Sequence, residues 1–191
     1  MLNRCSANPA ITSITSSPSW NGWGVDNANT RYQPAAAAQL SLDDVPRLKL
    51  KWSFGFPGAR AVSGQPAIVA GRVFVSSDNG YVYALDSATG CVYWSFRADA
   101  AVRSSVAVER PAEGRPYAVY FGDARANVYA VDAVNGTQVW KTRVEEHPSH
   151  ASREECDFSK AGSMCLLLRA RKEQAETRTT NVARRVAALW P

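Results

Sequence analysis

The side chains with chemistry to offer are few. They are Cys5, Cys91, Cys156 and Cys165, His147 and His150, and two aspartates, Asp86 and Asp132, set 46 residues apart. Cysteine and histidine are zinc ligands, and His147, His150, Cys156 and Cys165 fall in one stretch. Their spacing matches no regular zinc site, and Pro148 lies between the two histidines, so no metal is assigned to them. There is no CxxC pair and no CxxCH haem-attachment signature. Four cysteines in 191 residues do not make a disulfide framework. Cys91, in a predicted strand, reads as a small core hydrophobe. The span from Gly80 to Gly90 holds no GxGxxG, so a dinucleotide loop is not supported. Asn135-Gly136-Thr137 has the composition of a glycosylation acceptor, but the repeat described next places it in a turn. Asp86 and Asp132 each open a turn, where a carboxylate caps backbone N–H groups rather than acting as an acid or base.

What positions those aspartates is an internal repeat. Gly80-Tyr81-Val82-Tyr83-Ala84-Leu85-Asp86 through Trp94 aligns without gaps on Ala126-Asn127-Val128-Tyr129-Ala130-Val131-Asp132 through Trp140. Tyr83 matches Tyr129, Asp86 Asp132, Gly90 Gly136 and Trp94 Trp140, each pair 46 residues apart. Apolar alternation in both copies marks strands. Asp78-Asn79-Gly80 is a hairpin signal, and Gly90 and Gly136 supply a positive φ after each aspartate. Four antiparallel strands are predicted per unit, about 65–70, 71–77, 80–86 and 91–97 in the first, and 104–110, 116–122, 126–132 and 137–144 in the second. A four-stranded unit repeating every forty-odd residues is the mark of a β-propeller blade; an unclosed sandwich of hairpins is the alternative. Trp52, 42 residues before Trp94, reads as the last strand of an earlier, incomplete unit. The expected fold is therefore all-β: a partial β-propeller of two four-stranded blades plus one leftover strand. A large ring in the final strand suits the gap between blades, so Trp52, Trp94 and Trp140 are read as docking residues, with Asp86, Asp132, Gly90 and Gly136 shaping the turns.

Composition narrows the function classes. The net charge is +5, and the 152–191 tail carries eight Lys and Arg against five Asp and Glu. The basic surplus is thus mostly a tail property, and no basic face on a nucleic-acid-binding fold is visible. No run of eighteen apolar residues exists, so no membrane-spanning helix is expected. The start, Met1 to Cys5 followed by polar residues through Ser19, lacks the apolar run of a secretory signal. The expected division is a flexible segment at 1–17, the incomplete propeller at 18–150 and an unrelated basic tail at 151–191. Arg169 to Leu189 could form an amphipathic helix through Val182, Val186 and Leu189. A shift of reading frame would produce so abrupt an end to the repeat; a divergent tail is the alternative. Two blades cannot close a ring, so open blade edges and unpartnered tryptophan faces predict self-association or aggregation.

The repeat Tyr83-Ala84-Leu85-Asp86-Ser87-Ala88-Thr89-Gly90 with Trp94 is similar to the tryptophan-docking repeat of quinoprotein dehydrogenases, whose propellers bind pyrroloquinoline quinone (PQQ). The opening segment, Trp20-Asn21-Gly22-Trp23-Gly24-Val25-Asp26-Asn27-Ala28-Asn29-Thr30-Arg31-Tyr32-Gln33-Pro34, resembles the start of the propeller in PQQ alcohol dehydrogenases, and Phe54-Gly55-Phe56-Pro57-Gly58 most resembles the polyvinyl-alcohol dehydrogenase branch. The resemblance covers about residues 18–148. It implies oxidation of an alcohol to a carbonyl, with PQQ and Ca²⁺ in the complete fold, electrons passing to cytochrome c, and a periplasmic location. It carries one cofactor-binding residue onto this chain, Arg103, where the family commonly pairs an Arg with the anionic quinone; an exposed loop Arg is the alternative. Two family features are missing: an acid before Pro66, where Val62-Ser63-Gly64-Gln65 stands, and adjacent cysteines before the Arg, where Arg97-Ala98-Asp99-Ala100 stands. The Ca²⁺ ligands and catalytic Asp belong to later blades of the family. The resemblance therefore implies a fragment inactive on its own, without tight PQQ binding. Outer-membrane assembly lipoproteins share the repeat as protein-binding scaffolds without cofactor, which is the second reading. A non-functional open reading frame is the third.

Overall fold

The computed structural model describes residues 3–14, 19–25, 28 and 30–143. His147, His150, Cys156, Cys165 and the 151–191 tail lie outside the described residues, as do Asp26, Asn27 and Asn29 of the opening segment. A short helix α1 (Ala35–Ala38) and a 3-10 helix (Leu42–Arg47) precede eight strands. The first sheet holds β1 (Ala67–Val69), β2 (Arg72–Ser76), β3 (Tyr81–Asp86) and β4 (Val92–Arg97); the second holds β5 (Ala107–Glu109), β6 (Ala118–Gly122), β7 (Asn127–Asp132) and β8 (Gln138–Arg143). Each sheet is antiparallel, with its strands side by side in chain order. The repeat extends to a shared irregularity: the register shifts at Ala84/Leu85 in one blade and at Ala130/Val131 in the other, 46 residues on.

Alternation along the strands feeds layers on both sides of each blade. Val82 and Ala84 of β3 join Phe74 and Trp94 in a cluster between the two sheets, where Val119, Phe121, Tyr129 and Val131 meet them from blade 2. Tyr83 and Leu85 point the other way, onto Trp52, Phe54 and Phe56. Tyr83 and Tyr129 thus occupy the same face of successive blades. The segment bearing Trp52, predicted as a leftover strand, lies against blade 1 with Trp52, Phe54 and Phe56 half-buried, yet it forms no strand ladder among the described residues. It has the side-chain alternation of a strand without a paired neighbour among the described residues. The strongly exposed apolar residues stand just upstream, at Leu42, Leu48 and Leu50, rather than on the blades. On the far side of blade 2, Val139 and Trp140 are only half-buried over Ala118, Tyr120 and Ala130.

The chain before the blades stitches them together. Trp20 pairs with Ile68 through two backbone hydrogen bonds of 2.8 and 2.7 Å. The next side chain, Asn21, does the same for the other inner strand: its amide donates to the Val108 carbonyl (2.7 Å) and accepts from the Val108 N–H (2.8 Å). One dipeptide therefore clips β1 and β5 side by side. Asn21→Ala is expected to lower stability by about 1–2 kcal/mol, the worth of two such bonds, and to speed exchange of the Val108 amide. Unchanged protection at Val108 would refute the clip.

The N-terminal residues correct one expectation. Residues 3–14 run across both blades, with Ile11 and Ile14 packed on the interblade cluster. Cys91 is not a core hydrophobe: it is half-buried just before β4 and forms a disulfide with Cys5, with Cα atoms 5.1 Å apart across a sequence separation of 86. No local spacing rule links cysteines so far apart. They meet because residues 3–5 lie beside the edge of β4, where Arg4 bridges Val92 in parallel. Closing so long a loop restricts the unfolded chain by an amount worth on the order of 4–5 kcal/mol.

Candidate functional site

The β2–β3 turn, the β6–β7 turn and the 98–106 loop between blades stand at one end of the sheets; the β1–β2 and β3–β4 turns stand at the other. Arg103 sits on the 98–106 loop and is exposed. Its guanidinium makes no hydrogen bond or ion pair among the described residues. Its backbone, by contrast, is held on both sides. Val102 is fully buried and its N–H donates to the Ser77 carbonyl (3.2 Å). The Ser104 carbonyl accepts from the Ser76 hydroxyl (2.9 Å), the Ser104 hydroxyl donates to the Gly122 carbonyl (3.1 Å), and the Gln65 N–H donates to the Ser105 hydroxyl (3.0 Å). The Ala101 carbonyl accepts from the Ala124 N–H (2.9 Å). A long cationic side chain thus projects from a fixed backbone, which suits bidentate or stacked recognition of a planar anion.

The neighbouring groups define what else this end can do. Gln65, where the sequence lacks an acid, is not a free ligand group: its amide oxygen accepts the Trp20 indole N–H at 2.7 Å and its nitrogen donates to the Trp23 carbonyl. It anchors the opening segment to the start of blade 1. Asp123 is the buried carboxylate nearest this face. It opens the β6–β7 turn and accepts from the N–H groups of Arg125 and Asn127, the Asn127 side-chain amide and the Tyr129 hydroxyl, at 2.9–3.1 Å. Burial pushes its pKa up, but the donors from Asn127, Tyr129 and Arg125 outweigh burial and hold it below the ordinary carboxylate value. Burial likewise raises the Tyr129 hydroxyl well above its usual range, so it stays a donor to Asp123 while it accepts from the Asp99 N–H (3.1 Å). Buried and engaged by these donors, Asp123 braces the loop rather than facing solvent. Sequence reasoning passed over it because Ala124-Arg125-Ala126 lacks the hairpin signature of Asp78-Asn79-Gly80. The alignment still marks it, since Asp123 occupies the position of Ser77, whose hydroxyl also caps its own turn through Asn79 and Tyr81.

The opposite end holds the residues that join the blades. Asp86 accepts from Ala88 N–H (3.0 Å), Thr89 N–H (2.7 Å) and the Thr89 hydroxyl (2.8 Å); Asp132 accepts from Val134 and Asn135 N–H (2.8 and 2.9 Å). Each turn so formed receives a tryptophan from the preceding unit. The Trp52 indole donates to the Ser87 carbonyl and the Trp94 indole to the Ala133 carbonyl, both at 3.1 Å. The rings lie so close over Gly90 and Gly136 that a Cβ on either would stand 2.7 Å from a ring carbon. Trp140 has no such turn beneath it among the described residues. Asn135 accepts from the N–H and hydroxyl of Thr137 (2.8 and 2.7 Å), so that triplet is built into the turn. Among the described residues no group of three or more His, Cys, Asp or Glu could hold a metal ion, and no helix is long and apolar enough to cross a membrane.

Comparison with known proteins places this arrangement. A family profile described as "Outer membrane protein assembly factor BamB", for a PQQ-type repeat, matches residues 23–164. The chain is 43% identical over 147 residues to a polyvinylalcohol dehydrogenase of Pseudomonas sp, covering 76% of this chain and 22% of that protein. It is 39% identical over 148 residues to a polyvinylalcohol dehydrogenase of Sphingopyxis sp. (strain 113P3), with the same coverage of 76% and 22%. The quinohemoprotein alcohol dehydrogenase structure from Comamonas testosteroni superposes with a TM-score of 0.55 at 29% identity, over 66% of this chain and 19% of that one. The chain spans about a fifth of the length of these relatives.

Proposed function

Because the chain belongs to the PQQ-repeat propeller family of quinoprotein dehydrogenases, we propose that its two blades form part of the quinone-binding propeller of an alcohol dehydrogenase. The substrate class would be a secondary alcohol of the polyvinyl-alcohol kind, with electrons leaving to a cytochrome c. PQQ, when bound, supplies the two-electron chemistry of alcohol oxidation. The single observation carrying the reading is Arg103: an exposed guanidinium, unpaired among the described residues, on a loop fixed by buried residues to either side. Its donor geometry fits a planar tricarboxylate, and it would orient that ligand and balance its charge. Gln65 offers the ligand no carboxylate, being engaged with the opening segment. No Ca²⁺ ligand or catalytic base is assigned to these blades, so we expect weak quinone binding and no turnover from them alone. The Cys5–Cys91 disulfide favours an oxidising compartment such as the periplasm. Self-association through the half-exposed Trp140 face and the Leu42–Leu50 surface belongs to the same proposal.

PQQ titration followed by tryptophan fluorescence tests the reading. Saturable quenching is expected, and Arg103→Ala should weaken it about tenfold or more, as loss of a charge-assisted contact does, without moving the urea midpoint. Absence of saturable binding, or equal binding by Arg103→Ala, would sink the quinone reading. It would favour a cofactor-free scaffold of the kind the family profile is named for.

A further inference from the structure

The end of the blades opposite Arg103 carries a second construction that the quinone reading does not use. Residues 3–14 form a strap across it. At the blade 1 edge the Cys5 N–H donates to the Val92 carbonyl (3.1 Å) and the Val92 N–H to the Asn3 carbonyl (2.7 Å), beside the Cys5–Cys91 disulfide. Asn8 then spans both blades: its oxygen accepts from Arg72 Nη2 (2.8 Å) and its nitrogen donates to the Val134 carbonyl (2.8 Å) in the blade 2 turn. The Pro9 carbonyl accepts a further bond from Arg72 Nη2 (2.5 Å).

What the strap covers is unusual. Arg72 is 1% exposed, its guanidinium lies 4.0 Å over the Tyr93 ring, and Nη1 is buried without a partner among the described residues. Tyr93 in turn donates to Asp86 (2.7 Å). A buried cation with an unsatisfied donor is costly to keep covered. The strap itself is solvent-exposed over residues 3–4 and 6–10, and both cysteines are only half-buried, within reach of an attacking thiolate. Ile11 and Ile14 anchor the far end of the strap on the interblade cluster, but residues 3–10 bury no large apolar side chain, and the hydrogen bonds of Asn3, Cys5, Asn8 and Pro9 must offset their ordering entropy, so the covalent tether weighs heavily in whether this part stays down.

We propose that the Cys5–Cys91 disulfide is a redox latch that holds the strap over Arg72. A dithiol reductant breaks the S–S bond and is itself oxidised to a disulfide; two electrons and two protons pass to the protein, leaving two thiols. The strap then leaves the β4 edge and uncovers the Arg72 guanidinium. This inference is independent of quinone binding, and so are its readouts.

The test uses the full chain in a Cys156→Ser/Cys165→Ser background, so that thiol titration reports one bond. Reduction with dithiothreitol should release two thiols, speed amide exchange at Cys5 and Val92 at least tenfold, and make Arg72 reactive to phenylglyoxal by peptide mass analysis. Amides at Val82 and Val131 should keep their protection, showing that the blades remain folded. Cys5→Ser, which leaves the blades untouched, should show the open strap without reductant. No release of thiols, or full release with strap exchange unchanged within twofold and Arg72 still unreactive, would overturn the latch.

Discussion

Trp94→Ala is expected to destabilise the chain by about 3–5 kcal/mol, the range for removing a buried aromatic that leaves a cavity. Trp94 is 4% exposed and belongs to the cluster that joins the two sheets. Its ring meets Phe74 on its own blade at 5.9 Å and crosses the blade 2 turn over Gly136. Its indole N–H donates to the Ala133 carbonyl, so truncation also strands an acceptor. Gly136→Ala attacks the same contact from the other side. Gly136 has φ +77°, and an added Cβ would approach the Trp94 ring to 2.7 Å, so both backbone strain and a clash with the ring oppose it. Trp140 is the internal control. It holds the same repeat position but is half-buried and has no turn to dock on among the described residues, so Trp140→Ala should cost about 1 kcal/mol or less by area lost. Urea unfolding of the three variants separates these cases. Equal losses for Trp94→Ala and Trp140→Ala would mean that the tryptophan stabilises its own blade and not the junction.

That contrast also shows what a repeat lets a reader see. The 46-residue offset fixed the blade count, the strand order and the roles of Asp86 and Asp132 as turn carboxylates, because each depends on neighbours a few residues away. The period placed each tryptophan in the gap between blades; that Trp52 and Trp94 dock on the glycine turns of the following units is seen only in the geometry. Contacts between distant segments were not legible. Cys5 and Cys91 share no motif, and Asn21 meets Val108 across 87 residues through a side chain of a type common in solvent-exposed loops. The stretch Val62–Gln65 was read only as lacking the family's acid, whereas the Gln65 amide in it is complementary to the Trp20 indole and Trp23 carbonyl of the opening segment. Arg103 came from family resemblance alone. What the fold adds is the reason a ligand group could work there: a loop tied down by Ser76, Ser77, Gly122 and Ala124, with a side chain that has no partner among the described residues.

Acid should unfold this chain in part through Asp123, and Asp123→Asn should blunt that response. Both Asp123 and Asp86 are held below the ordinary carboxylate value in the folded chain. For Asp86 the main cause is the Tyr93 hydroxyl, with Thr89 and Ala88 adding to it against a burial penalty. For Asp123, burial is opposed and outweighed by the donors from Asn127, Tyr129 and Arg125. A depressed folded pKa means that the unfolded chain takes up the proton first. The stabilisation is therefore complete at neutral pH, begins to fall near the unfolded value of about 4, and is lost as pH drops through the folded value. Urea midpoints should be flat from pH 7 to about 5 and decline below about 4. Asp123→Asn removes the buried charge and places an amide nitrogen among groups that donate, so it should cost about 1–3 kcal/mol at neutral pH. Its midpoint should then fall less than the parent's between pH 5 and 3, because the proton linked to Asp123 is gone. Parallel curves for parent and variant would show that Asp123 titrates alike in both states. In that case its donors brace the β6–β7 turn and the Arg103 loop without favouring the carboxylate over the acid.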